Sequence, residues 1–86
     1  GHVTDTYGAL STAERRDLEE RMARLRRDHG FELAVFLPRS LEGESVEDVA
    51  FDTFNTWKLG QADADNGVLL VIAMAERRTR IETGQG

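Results

Sequence analysis

The residues best suited to chemistry crowd between Gly60 and Gly67, where Asp63, Asp65 and Asn66 place several oxygen atoms in one short polar stretch. Carboxylates and amide oxygens are what hard cations such as Ca²⁺ or Mg²⁺ take as ligands, and the flanking glycines allow close backbone approach. The spacing Asp63-x-Asp65-x-Gly67 does not match an EF-hand loop, whose glycine comes one residue later. Ligands drawn from a single loop would also bind weakly. The same residues serve equally well as turn formers before a strand, because Asp and Asn bond their own backbone and Asn-Gly is a turn signal. Both readings stay open at this point.

Other candidates have simpler explanations beside the chemical one. His29 has the type of a general base, but it closes a helical segment, where the dipole favours an imidazolium. Ser40 has no evident His–Asp partner, and Ser11 and Ser45 read as helix caps. Arg77, Arg78 and Arg80 form a small basic tip that suits an anion or an anionic lipid, or merely keeps a hairpin soluble. The arginines of the first helix alternate with acids and read as a solvated face, and Trp57 reads as core.

The elements that must position these residues follow from periodicity. Ser11-Thr12-Ala13-Glu14 is a capping box. Leu18, Met22 and Leu25 follow on one helical stripe, Asp17–Arg21 and Glu20–Arg24 are acid-first pairs, and Gly30 is the stop, giving a helix over Thr12–His29. Phe31–Leu37 is a short apolar run that reads as a buried strand. Ser45 caps a second helix, with Val46, Val49, Ala50, Thr53, Phe54 and Trp57 inward and Gly60 at its end. Val68–Met74 reads as a strand buried on both faces. Ala75–Arg78 reads as a hairpin connection and Thr79–Thr83 as a strand nearer the sheet edge. Val3–Leu10 is left as a lead-in.

The order α, β, α, β, β predicts an α/β fold: a three-layer α-β-α sandwich around a small mixed sheet, built from a right-handed βαβ unit plus an antiparallel hairpin strand. The loops before the second strand and after the third then meet at one end of the sheet, which makes Asp63, Asp65 and Asn66 the candidate metal ligands.

Composition narrows the class. With 86 residues the chain has room for one domain, 1–86, in which Gly1-His2 reads as a cloning remnant that replaces any targeting segment. Its stability should be modest, on the order of 4–13 kcal/mol. The net charge of −5 and pI near 4.9 argue against a nucleic-acid partner. The absence of cysteine removes disulfides, thiolate metal sites and a cysteine nucleophile, and assigns no compartment. The longest apolar run, Val68 to Ala75, is too short to span a membrane.

With these elements in place, the chain resembles the TPM domain family, found in a plant thylakoid-lumen acid phosphatase, a photosystem II repair protein and many bacterial exported or membrane-tethered proteins. The resemblance runs through Val3-Thr4-Asp5, Leu10-Ser11, Leu33-Ala34-Val35, Ser40-Leu41, Gly43 and Ser45-Val46-Glu47-Asp48. It continues through Phe54, Trp57-Lys58-Leu59-Gly60, Asp65-Asn66-Gly67-Val68-Leu69-Leu70, Arg80-Ile81 and Thr83-Gly84-Gln85-Gly86. The ordered set W-x-x-G, D-N-G-V-L-L and R-I-x-T-G-x-G is the most specific part.

The resemblance implies an extracytoplasmic module, in the periplasm, cell surface or thylakoid-lumen equivalent, tethered to a membrane in the intact protein. As a function it implies an interaction or assembly and repair factor for membrane protein complexes, with a protein partner. The alternatives are a weak metal-dependent acid phosphatase and a Ca²⁺-binding domain without catalysis. The family's acidic cleft is a proposed metal and phosphatase site. On that analogy Asp65 maps onto the D-N-G motif, Asp63 stands beside it, and Asp5 matches the opening acid and joins them if the N-terminal segment folds to that end. Asp65, Asp63 and Asp5 are therefore the catalytic candidates, with Ca²⁺ or Mg²⁺ as the implied cofactor. Two departures stand out. Tyr7-Gly8 replaces a small apolar pair, and the sequence stops at Gly86, where the family continues with Leu-Glu and a further helix. A domain ended there is expected to leave an exposed apolar patch, to self-associate, or to be covered by a neighbouring chain.

Overall fold

A computed structural model describes residues 2–59 and 66–84 of the chain. The elements are β1 (His2–Asp5), α1 (Thr12–His29), β2 (Glu32–Leu37), α2 (Val46–Thr56), β3 (Gly67–Ala73) and β4 (Arg78–Thr83).

Both helices begin as their sequences dictate. Ser11 Oγ accepts from the Glu14 N–H at 3.1 Å while Glu14 Oε1 accepts from the Ser11 N–H at 2.9 Å, a reciprocal capping box. The hydrogen bonds to Ser11 hold the Glu14 carboxyl below its ordinary pKa. Gly30 ends α1 in the left-handed region at φ 78°, its N–H bonded to the Arg26 carbonyl. Ser45 caps α2 through the Asp48 N–H at 3.0 Å. This helix stops at Thr56, before the stop read at Gly60, a residue outside those described. Lys58 turns left-handed at φ 55° and its N–H bonds to Asn55 O, while the Leu59 N–H bonds to Phe54 O. That is a Schellman closure with lysine in the usual glycine position, sealed by Leu59 and Phe54 in one apolar cluster.

The four strands lie in sequence order, β1-β2-β3-β4. The first three are parallel and β4 is antiparallel to β3. Strand β1 was not expected from the sequence. It is four residues long with one buried side chain, Val3, and exists because it pairs with β2 from Ala34 to Leu37. The β3–β4 turn spans Met74 to Arg77, with the Arg77 N–H on the Met74 carbonyl at 3.3 Å and Arg77 at φ 58°.

Alternation along the strands sorts two apolar clusters to the two faces. Met22 of α1 packs with Val3, Val35 and Leu37. On the other face Val46 and Ala50 of α2 pack with Ala34, Leu69, Val71 and Ala73. The layers are therefore α1, sheet and α2, as the fold class predicted. Two parallel crossovers that step the same way across a sheet, with their helices on opposite faces, must have opposite hands. One of them departs from the right-handed rule.

The helices also stand over different strands: α1 over β1 and β2, α2 over β3 and β4. Strand β3 is consequently fully buried on the α2 face at Leu69, Val71 and Ala73, but only half-buried at Leu70 and Ile72 on the α1 face. The sequence reading buried both faces; α1 does not reach far enough to cover the second. On that bare area of the sheet, Ile81 of β4 is 63% exposed.

Candidate functional site

At the amino end of the parallel strands, Asn66 ties β3 to the α1–β2 junction. Its carbonyl accepts from the Glu32 N–H at 2.8 Å, and its Nδ2 donates to the Gly30 carbonyl at 2.8 Å. Its Oδ1 is buried and meets no donor among the described residues. The Gly84 N–H reaches the Gly67 carbonyl at 3.2 Å, so the residue after β4 meets the first residue of β3 at this end. Asp63 and Asp65, the other two candidate ligands, lie outside the described residues.

Asp5 lies at the other end of the sheet from Asn66. It pairs with Leu37 at the carboxyl end of β2, whereas Gly67 pairs with Glu32 at the amino end. Five steps of strand, about 17 Å, separate the two levels. The fold therefore corrects the conditional placement of Asp5 with the acidic loop: parallel pairing of β1 with β2 carries the end of β1 to the other end of the sheet. There, Asp5 Oδ1 accepts from the Gly8 N–H at 2.7 Å and Oδ2 from the Leu10 N–H at 2.8 Å. Burial pushes this carboxyl up, but the backbone N–H groups of Leu10, Gly8, Ala9 and Tyr7 outweigh it, and the net direction is down. Both oxygens serve the turn from β1 into α1, where Gly8 takes φ 89°.

At the same end the chain leaves β1 towards the α1 face and β2 towards the α2 face, which opens a crevice between the two connections. Thr6 stitches this crevice together. Its Oγ1 accepts from the Arg39 N–H at 3.0 Å and donates to the Leu37 carbonyl at 3.4 Å, and the N–H groups of Thr6 and Tyr7 bond to that same carbonyl. Beside it a cleft of about 590 Å³ opens between the start of α2 and the β3–β4 turn, lined by Leu41, Glu44, Glu47, Glu76 and Arg78 among others. Glu76 Oε2 accepts from the Leu41 N–H at 2.8 Å and so braces one loop against the other. The sequence reading placed Glu76 in the Ala75–Arg78 hairpin connection. It gave Glu76 no role, since nothing in an Ala-Glu-Arg-Arg turn marks a distant amide as its partner.

Among the described residues, no group of three His, Cys, Asp or Glu side chains is arranged to hold a metal ion. Ser40 Oγ accepts from the Glu42 N–H at 3.2 Å as a local turn. His29 ends α1 with its ring 6.5 Å from that of Phe31. Arg80 pairs with Glu82 at 3.3 Å. Trp57 packs against Phe36 at 5.5 Å and meets the ring of His2 edge-on at 5.2 Å, so the residue read as a cloning remnant forms part of β1 and its packing.

The α1 face carries apolar surface where helical cover ends. Leu25, Phe31, Leu33 and Val68 line a groove without polar atoms, and Leu70, Ile72 and Ile81 line the next hollow along the sheet. No helix among the described residues is long and apolar enough to cross a membrane.

No curated protein matches the chain in sequence. Among solved structures it is similar to the N-terminal domain of a P. gingivalis protein determined by solution NMR, with 36% identity, a TM-score of 0.88 and 98% of this chain covered. The chain spans about half, 54%, of that solved chain. The family model for the TPM domain matches residues 3–86, from the first strand to the last glycine, and the chain belongs to the TPM domain family.

Proposed function

We propose that this TPM domain is a non-catalytic interaction module, acting outside the cytoplasm as an assembly or repair factor for membrane protein complexes. The observation that carries this reading is the separation of Asp5 from the Asn66 end of the sheet, with both carboxylate oxygens of Asp5 already accepting backbone N–H groups. A metal-assisted phosphatase needs its acids to converge on one reacting centre. The apolar surface on the α1 face supports the same reading, because exposed contiguous apolar area marks interaction surfaces. Location outside the cytoplasm and a membrane tether in the intact protein belong to the proposal through the family resemblance.

A second reading rests on Asn66. Its Oδ1, buried and without a donor among the described residues, is the kind of oxygen that a Ca²⁺ or Mg²⁺ ion satisfies, which keeps a metal-binding or weakly phosphatase domain as the alternative. The deciding experiment is turnover of a chromogenic phosphate monoester with Ca²⁺, Mg²⁺ or neither, for wild type and Asp65→Ala. The module reading expects the same background rate in all arms. Metal-dependent turnover lost in Asp65→Ala would overturn it and install the phosphatase.

A further inference from the structure

We propose that the β4 edge is a self-pairing interface, through which two copies of this chain join β4 to β4 antiparallel about a two-fold axis at Ile81, merging their four-stranded sheets into one. Strand β4 is the last in the sheet order, so one side of it has no neighbouring strand among the described residues. The Gly84 N–H on the Gly67 carbonyl fixes the hydrogen-bonding parity with β3. Gly84, Glu82, Arg80 and Arg78 direct their backbone groups to β3, and Thr79, Ile81 and Thr83 direct theirs outward.

A two-fold centred on Ile81 uses those outward groups. Ile81 exchanges hydrogen bonds with Ile81 of the second copy, and Thr79 pairs with Thr83 in both directions. Arg80 then stands opposite the second copy's Glu82, and Glu82 opposite its Arg80, in the non-hydrogen-bonded positions where side chains come closest. The strand is therefore self-complementary in charge. Moving the axis by one residue either way sets Arg80 against Arg80 or Glu82 against Glu82, a like-charge contact that disfavours those registers.

Apolar exposure agrees on both faces of the strand. Ile81 at 63% and Phe51 at 59% are the two most exposed large apolar side chains among the described residues. Ile81 lies on the α1 face, beside Leu70 and Ile72. Phe51 lies on the other face, on the β4 flank of α2: it sits one turn after Glu47, which shares a cleft with Arg78, while Val49 on the opposite flank lines a hollow with Phe36. A second copy at this edge covers both residues together. Edge strands normally carry devices against such pairing, such as proline, bulges or unmatched charge. Here β4 has no proline, and Arg80 and Glu82 match across the two-fold while Arg78 falls opposite Gly84.

The test is sedimentation velocity of this chain from micromolar to millimolar concentration. Wild type is expected to show a monomer–dimer equilibrium that Ile81→Lys abolishes. Arg80→Glu alone and Glu82→Arg alone should each weaken self-association about tenfold or more, because matched cross-strand charges become like charges. Mixing those two variants should restore dimers, since each Glu then faces an Arg. Far-UV circular dichroism confirms that each variant folds, and all three substitutions lie on one edge strand. A wild type that stays monomeric at millimolar concentration overturns the proposal. So does a dimer indifferent to Ile81→Lys, or a mixture of the two charge variants that associates no better than either alone.

Discussion

Replacing Asp5 by Asn tests the placement of β1 and the assignment of its carboxylate to a turn. The change keeps the size of the side chain and one acceptor oxygen. It removes the charge and presents an amide NH₂ to one of the two backbone donors, Gly8 at 2.7 Å or Leu10 at 2.8 Å. Hydrogen bonds to a charged acceptor contribute about 1.5–3 kcal/mol each. The group is only half-buried, so screening reduces that figure. A net loss of about 1–2 kcal/mol is expected, which in a domain of this size is roughly 4–16 °C in Tm. The effect must depend on pH. The folded-state pKa of Asp5 lies below its ordinary value of 3.8, so the stabilisation is fully present above that value and fades as pH falls through the folded pKa. Urea denaturation of wild type and Asp5→Asn at neutral pH and in acid measures both quantities. A variant as stable as wild type at neutral pH, or one whose deficit persists unchanged in strong acid, would refute the assignment.

Two further outcomes are expected. Met22 is the one side chain of α1 that is fully buried, at 1% exposure, so Met22→Ala should cost about 2–5 kcal/mol, read as a lowered urea midpoint; a loss well under 1 kcal/mol would show that α1 is anchored elsewhere. If the second reading of Asn66 holds, Ca²⁺ at about 100 times its dissociation constant should add roughly 2.7 kcal/mol to the unfolding free energy, and Asp65→Ala should abolish the gain; no shift in wild type removes the cation.

What the sequence made legible was whatever is decided locally. The Ser11–Glu14 box, the Gly30 stop, the Ser45 cap and the apolar run of β3 are all set by residues a few positions apart, and α1, the start of α2 and, to within one residue, β3 lie where the pattern put them. What it hid was decided by distant partners. Strand β1 carries one buried residue in four and little β signal of its own; the edge of β2 makes it a strand. Asp5 could have been read as a turn former, since Asp5-Thr6-Tyr7-Gly8 has the pattern of a side chain capping its own loop. The end of the sheet it occupies could not be read without β1. The stop of α2 at a left-handed Lys58 was masked because Gly60, two residues on, offered the commoner signal. Of the candidate ligands, the described residues include only Asn66 and Asp5, and the fold sets them at opposite ends.

The strand directions carry one more consequence. Strand β1 enters the sheet near the amino end of β2, and β4 leaves it beside the start of β3. His2 and Gly84, the first and last described residues, therefore lie on one side of the domain, at opposite edges of the sheet. A linker attached to either end holds the domain with the Glu76–Leu41 loops pointing away from the anchor. Pairing through β4 turns the second copy end over end, so its linker departs in the opposite direction. Two copies held to a single surface can pair only if one linker doubles back along the sheet. That detour is about 20 Å, or roughly six extended residues. Copies facing each other across a gap need no detour, so linker length decides whether the edge joins neighbours on one surface or bridges two.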